Sequence, residues 1–242
     1  MIKSKNNLNY YIKKIIDKVE KNESYKIKLA AKYIYESHIN DCKLFTFGTG
    51  HNHCIAEEAL HRAGGYANAC PILNPVIDFS KGIKKASLAE RTSGIASNLL
   101  KKYQIKKGDT LIIFTNSGVN KVPLEAAKYA KKIEANVIVI LSLTYCKSFK
   151  KNKDKIYKIA DIYIDNYGPI GDSLVKNSSK INVASPSVIS GSYIFNSILV
   201  ELSKLLIDEK PFPFYLSSNL KGASLHNKKI EMQFSKRNKF LK

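Results

Sequence analysis

Two rhythms of apolar and polar residues divide this 242-residue chain. Leu8, Ile12, Ile15, Ile16 and Val19 recur at helical spacing, and Leu29, Ala30, Tyr33 and Ile34 do so again. That spacing predicts two amphipathic helices ahead of the first strand, too short and plain for a DNA-reading module and suited to packing or dimerisation. Short apolar runs follow at 44–47, 68–73, 109–115, 137–141 and 162–165. Their continuity, without polar alternation, is what strands buried on both faces of a parallel sheet require. Helical periodicity returns at 54–62, at 87–103, and through Val122, Ala126, Tyr129, Ala130 and Ile133, where Asn120 stands in the capping position. Ser185-Pro186 opens a last long helix through Ile189, Ile194, Ile198, Leu202 and Leu205, which should stop before Pro211. Proline suits a first turn, where its missing N–H leaves no bond unmade. Strands alternating with helices predict an α/β fold: a doubly wound, mainly parallel five-stranded sheet flanked by helices, with N-terminal helices in addition. The expected organisation is a helical extension at 1–40, the α/β domain at 41–212 and a basic helical tail at 213–242, its last dozen residues partly disordered.

Two loops carry the candidate chemistry. Gly48-Thr49-Gly50-His51-Asn52-His53 follows the first strand and precedes a helix. Gly48 and Gly50 lack a Cβ and can take positive φ, so the backbone there can turn tightly and approach a ligand. Thr115-Asn116-Ser117-Gly118-Val119-Asn120 leaves a later strand in the same way. Small hydroxyl and amide side chains plus free N–H groups at a helix start form a neutral phosphate cradle. One such loop could be mere helix capping; two at matching sheet positions point to phosphate. A third loop, with Ser142 and Thr144, also leaves a strand end, where ligands of open α/β sheets bind. The polar stretch 166–182 is expected to be an active-site loop.

Charge changes this picture little. The net charge is +20, but Arg62, Arg91 and Arg237 are the arginines among 40 basic residues, and the lysines are spread along the chain. Arginine is the residue of bidentate phosphate and base readout, so a nucleic-acid partner is not expected. The densest groups, 147–158 and 228–242, read as a solvated loop and a tail, and a positive field can steer anionic metabolites. Cys42, Cys54, Cys70 and Cys146 show no paired spacing, no signal peptide is apparent, and no apolar run nears 18 residues. Free thiols, a cytoplasmic location and no membrane segment are therefore expected.

The two loops resemble the sugar isomerase (SIS) domain family, which binds phosphosugars through a Gly-x-Gly-x-Ser loop and a Ser-x-Ser-Gly-x-Ser/Thr loop. The likeness extends to a little-characterised bacterial subgroup through Glu57-Glu58, Arg62-Ala63-Gly64-Gly65, Asp165-Asn166, Gly168-Pro169, Gly171-Asp172 and His226-Asn227. Asn52, Thr115 and Asn120 depart from the pattern, each replacing a Ser or Thr; Asn can still donate through its amide, and Thr keeps a hydroxyl. The resemblance implies a flavodoxin-like SIS fold, with 41–212 as the phosphosugar-binding domain. It also implies a homo-oligomer, dimer or tetramer, with sites near subunit interfaces. Family isomerases place a Glu on the helix after the first loop and a His near the C-terminus, which implies Glu58 or Glu57 and His226 as the acid–base pair.

The expected substrate-binding set is Gly48, Thr49, Gly50, His51, Asn52, His53, Thr115, Asn116, Ser117, Gly118, Asn120, Ser142 and Thr144, with a phosphorylated sugar as ligand. A sugar-phosphate isomerase is the leading reading. A phosphorylated amino-sugar etherase on the same site and a non-catalytic phosphosugar sensor remain open beside it. No cofactor and no metal are expected. His53–Glu57 and Glu57–His61 are i,i+4 pairs, half of a zinc site at most, and the order is not His-Glu-x-x-His. Neither a Gly-x-Ser-x-Gly elbow nor a nucleotide-triphosphate loop occurs, and His53 stands where a dinucleotide fingerprint needs its third glycine. Glu90 and Arg91 are expected to form an ion pair on or beneath their helix.

Overall fold

The computed structural model describes residues 7–151, 154–177 and 181–241. Residues 1–6 of the helical extension, two positions of the 147–158 lysine group, three of the polar loop and Lys242 lie outside the described residues. Among those described, the strands β1 (Leu44–Gly48), β2 (Ala69–Pro71), β3 (Thr110–Phe114), β4 (Asn136–Leu141) and β5 (Ile162–Asp165) form one sheet in the order β2-β1-β3-β4-β5. Every pairing in it is parallel. This is the doubly wound order whose direction of travel across the sheet reverses between β1 and β3.

Strand residues alternate between two cores. Leu44, Ile112, Phe114, Ile138, Ile140, Ile162 and Ile164 face one side, with α1 (Leu8–Ile39) and α7 (Ser187–Leu205) packed over them. Phe45, Phe47, Leu111, Ile113, Val137, Val139 and Leu141 face the other, under α4 (Ile95–Lys102) and α5 (Lys121–Lys132). Both faces are covered, which explains the continuous apolar runs. Phe195 of α7 meets Phe114 edge-on, ring centroids 5.7 Å apart. Phe195→Ala should cost about 4 kcal/mol. Chemical denaturation would show it as a lowered midpoint at unchanged slope.

Three expectations about elements change. The two N-terminal helices are one continuous α1, and its Val19, Ile27, Ala30, Ala31 and Ile34 belong to the first core. Residues 87–103 are two helices, α3 (Ile83–Ala89) and α4, separated by a turn in which Gly94 has φ 89°. The helix over 54–62 ends early: α2 is His53–Glu57. The remaining elements are α6 (Leu143–Ser148), a short hairpin of β6 (Val175–Lys176) and β7 (Asn182–Val183), and α8 (Ala223–Phe234). Far from fraying, the described tail beyond α8 is held: Arg237 binds Asp109, and Asn238 donates to the Ala69 carbonyl. No helix among the described residues is long and apolar enough to cross a membrane.

Candidate functional site

β1 and β3 run in register, Gly48 opposite Phe114, so the loops that follow them leave the same rim side by side. That rim is the switch point of the sheet, where a crevice forms because neighbouring loops diverge to opposite faces. A hollow of about 430 Å³ lies there. Thr49, Gly50, His51 and Asn52 line it from the first loop, and Thr115, Asn116, Ser117 and Asn120 from the second.

In the first loop, Gly50 has φ 57° and donates its N–H to the Ile77 carbonyl at 2.8 Å. A 3-10 turn over Gly50–Asn52 then leads into α2. Gly48 and His53 do not line the hollow; the His53 Nδ1 lies 3.2 Å from the Gly48 carbonyl. In the second loop, Gly118 has φ 63° and sits against Cys146, Ile156 and Leu141, so it shapes the loop from behind. Burial pushes the Cys146 thiol up, keeping it an inert neighbour. Asn120 has extended backbone at the start of α5 but makes no capping bond; its side chain lines the hollow instead.

Asn116 is only 7% exposed. Its Oδ1 accepts from Asn166 Nδ2 at 3.2 Å, while its Nδ2 finds no partner among the described residues. A buried amide donor left unpaired carries a desolvation cost.

The third loop differs from expectation. Ser142 is buried, donates to the Gly168 carbonyl at 2.6 Å and caps α6; Thr144 lies outside the hollow. Tyr145 lines the hollow from this loop. Beneath it, Asp165 accepts from the N–H groups of Leu143 and Tyr167. Burial pushes the Asp165 carboxyl up, against the pull of those bonds.

The acid–base candidates also lie elsewhere. Glu57 is exposed at the end of α2, and Glu58 pairs with Arg62. His226, on α8, bonds the Phe214 carbonyl through Nε2 at 2.9 Å. None of the three lines the hollow of this chain. His61 lies against Glu231 and Tyr215, and His53 faces Asp78 at 3.8 Å, so the i,i+4 histidine–glutamate spacing does not converge.

The carboxylates inside the hollow are Glu90 and Asp172. Glu90 does not pair with Arg91, which donates to the Ser87 carbonyl. Instead Glu90 accepts from Thr49 Oγ1 at 2.5 Å, tying the turn after α3 to the first loop. Asp172, from the polar loop, accepts from Ser185 and Ser187 through Oδ2, each at 2.6 Å. His51 stands at the rim with Nε2 3.9 Å from the same oxygen, its ring tilted towards Phe79. The Gly171-Asp172 pair was the available sequence signal for this wall; Glu90 carried none, because the sequence placed it inside a helix beside Arg91.

Residues 9–142 match the SIS domain, spanning both loops and the strands from β1 to β4. The chain belongs to the SIS domain family. Among its relatives, a UPF0309 protein of Brucella anthropi is 36% identical over 213 residues, 88% of each chain. A UPF0309 protein of Brucella canis is 35% identical over 83% of this chain and 84% of its own. In structure the chain is similar to phosphoheptose isomerase from Neisseria gonorrhoeae, with a TM-score of 0.56 at 14% identity, covering 80% of this chain and 94% of that one. A protein from E. coli CFT073 gives a TM-score of 0.50 at 16% identity, over 83% and 86% of the two chains. At such identities the likeness concerns the fold.

Proposed function

We propose that the hollow binds a phosphorylated sugar and that the chain is an aldose–ketose sugar-phosphate isomerase. The carrying observation is the convergence of both loops on one hollow, where Thr49, Asn52, Thr115, Ser117 and Asn120 meet the Glu90 carboxylate. The phosphate would sit on the second loop, held by N–H groups and the helix dipole rather than by lysine. The sugar carbons would then extend towards the first loop and Glu90.

In such an isomerisation a base takes the C2 proton of the open-chain aldose and returns it to C1, while a second proton moves between the oxygens. Glu90 suits the base role, because it lines the hollow and Thr49 orients it. His51 is the imidazole within reach of proton traffic at the rim. The rival assignment, Glu58 with His226, would require a second copy of the chain to assemble a site from residues that lie outside this hollow.

Glu90→Gln should lower exchange of solvent deuterium into C2 of the accepted sugar phosphate by about a hundredfold or more. Binding should persist, seen as a ligand-induced rise in melting temperature. The same NMR assay on Glu58→Gln decides between the assignments: full exchange in Glu90→Gln and none in Glu58→Gln would reverse ours. Binding without any exchange in the unmodified protein would instead favour a sensor.

A further inference from the structure

β5 ends at Asp165, and the three residues after it bond to the walls of the hollow without lining it. Asn166 is buried; its Nδ2 donates to Asn116 Oδ1 at 3.2 Å, and its Oδ1 accepts the Gly168 N–H at 2.8 Å. The Gly168 carbonyl accepts from Ser142 Oγ at 2.6 Å, while the Ser142 N–H donates to the Asn116 carbonyl at 3.1 Å. Asn116 is thus gripped at both its side chain and its backbone, and its neighbour Ser117 lines the hollow. The fit leaves no slack: a Cβ on Gly168 would lie 3.0 Å from Asn166 Oδ1 and 3.3 Å from Asn116 Oδ1. The same segment leads on to Asp172 in another wall, whose N–H donates to the Pro169 carbonyl at 3.0 Å.

Tyr167 fixes the course of this segment. It has φ 53°, an outlying conformation for a bulky side chain, although a glycine stands next to it. Such strain persists only where the surroundings over-determine it. Here the Tyr167 N–H donates to Asp165 Oδ1 at 2.9 Å, and its hydroxyl donates to Glu23 Oε1 on α1 at 3.2 Å. Glu23 is buried and is itself held by Lys26 Nζ at 2.8 Å. A glycine at 167 would take the turn freely but would lack the hydroxyl that reaches α1. The bonds of this path join buried and half-buried groups, where a lost hydrogen bond costs more than it does in water. Resting on the phosphate reading of the hollow, we infer that Glu23 and Tyr167 are positioning residues: by fixing the turn after β5, α1 sets the Asn116–Ser117 loop that takes the phosphate. Neither side chain touches the ligand.

Hydrogen–deuterium exchange of the full chain, read with isothermal titration of inorganic phosphate and glucose 6-phosphate, tests this. Tyr167→Phe should speed exchange over 115–120 by about tenfold, weaken both ligands by a similar factor and leave exchange over 48–53 unchanged. Glu23→Ala should do the same, while Glu23→Gln, which keeps an acceptor, should restore most of the affinity. The double variant Glu23→Ala, Tyr167→Phe should be no weaker than either single one, because both lose one bond. Tyr193→Phe is the control: its hydroxyl donates to Glu20 Oε1 at 2.6 Å, a like bond between α7 and α1 that does not reach the turn. It should leave the 115–120 exchange and both affinities as they are. Equal effects of Tyr193→Phe and Tyr167→Phe would reduce the link to a general loosening of α1 and overturn the inference, as would unchanged exchange and affinity in Tyr167→Phe. If neither ligand binds the unmodified protein, the phosphate reading falls, and exchange over 115–120 still decides whether α1 sets the loop. Should Tyr167→Phe fail to fold, Glu23→Ala against Glu23→Gln makes the same comparison.

Discussion

Gly48→Ala should abolish sugar-phosphate binding and destabilise the fold by about 3 kcal/mol. Gly48 ends β1, paired with Phe114, and its φ is not in the left-handed region, so alanine could adopt its backbone conformation. The penalty is purely steric. A Cβ there would lie 2.6 Å from the Asn52 carbonyl carbon, closer still to its oxygen, and 3.1 Å from the His53 nitrogen. These are backbone atoms of the turn that carries the hollow's first wall, and no side-chain rotation can clear them. Either β1 leaves register or the turn lifts and takes Thr49, His51 and Asn52 with it. Thermal melts with and without sugar phosphates check both parts. A variant that melts like the unmodified protein and keeps its ligand-induced shift would mean that this close approach does not shape the loop.

Arg237→Ala should cost about 3–5 kcal/mol, the largest stability loss expected from a residue outside the two main cores. Asp109, immediately before β3, is fully buried. It accepts from the N–H groups of Lys43 and Lys106 and receives both Arg237 Nη atoms, at 2.9 and 3.0 Å. Removing the guanidinium leaves a buried carboxylate short of its charge partner. The same junction holds Lys43, whose Nζ donates to Asn68 and to the Phe234 carbonyl at the end of α8. Burial, followed by the Arg237 charge, pushes the Lys43 ammonium down to about 8. The tail is therefore a clamp on the base of β1 and β3, at the opposite ends of the strands from the hollow. Denaturation midpoints and limited proteolysis of the tail would register its release. Arg237→Lys should recover only part of the loss, since lysine cannot make the bidentate bond. A change within about 0.5 kcal/mol for Arg237→Ala would refute the clamp.

These two sites differ in how far the chain itself announced them. Each run of buried strand residues, each helical period and both glycine-bearing loops depend on neighbours a few positions away. The parallel sheet and the four hollow-lining residues of each loop were therefore legible in the linear order of residues. Even the importance of Gly48 was visible, although for close approach rather than for positive φ. Where a polar residue's partner lies far along the chain, the order alone misleads. The gap between the apolar periods ending at Val19 and starting at Leu29 suggests two helices, but in the fold Glu23 within it is buried, with Lys26 Nζ at 2.8 Å and the Tyr167 hydroxyl at 3.2 Å, and the helix runs through. Gly94 divides α3 from α4, and the carboxylate of Glu125 on α5 supplies the N–H groups of Gly94 and Ser97 with their acceptor. The lysine-rich tail looked solvated because its anchor, Asp109, lies 128 residues earlier. In the hollow, the hydroxyl and amide cradle is local and was readable. The carboxylates that face it, Glu90 and Asp172, are brought there by the turn after α3 and by the polar loop, and only packing across the sheet's rim decides that they meet.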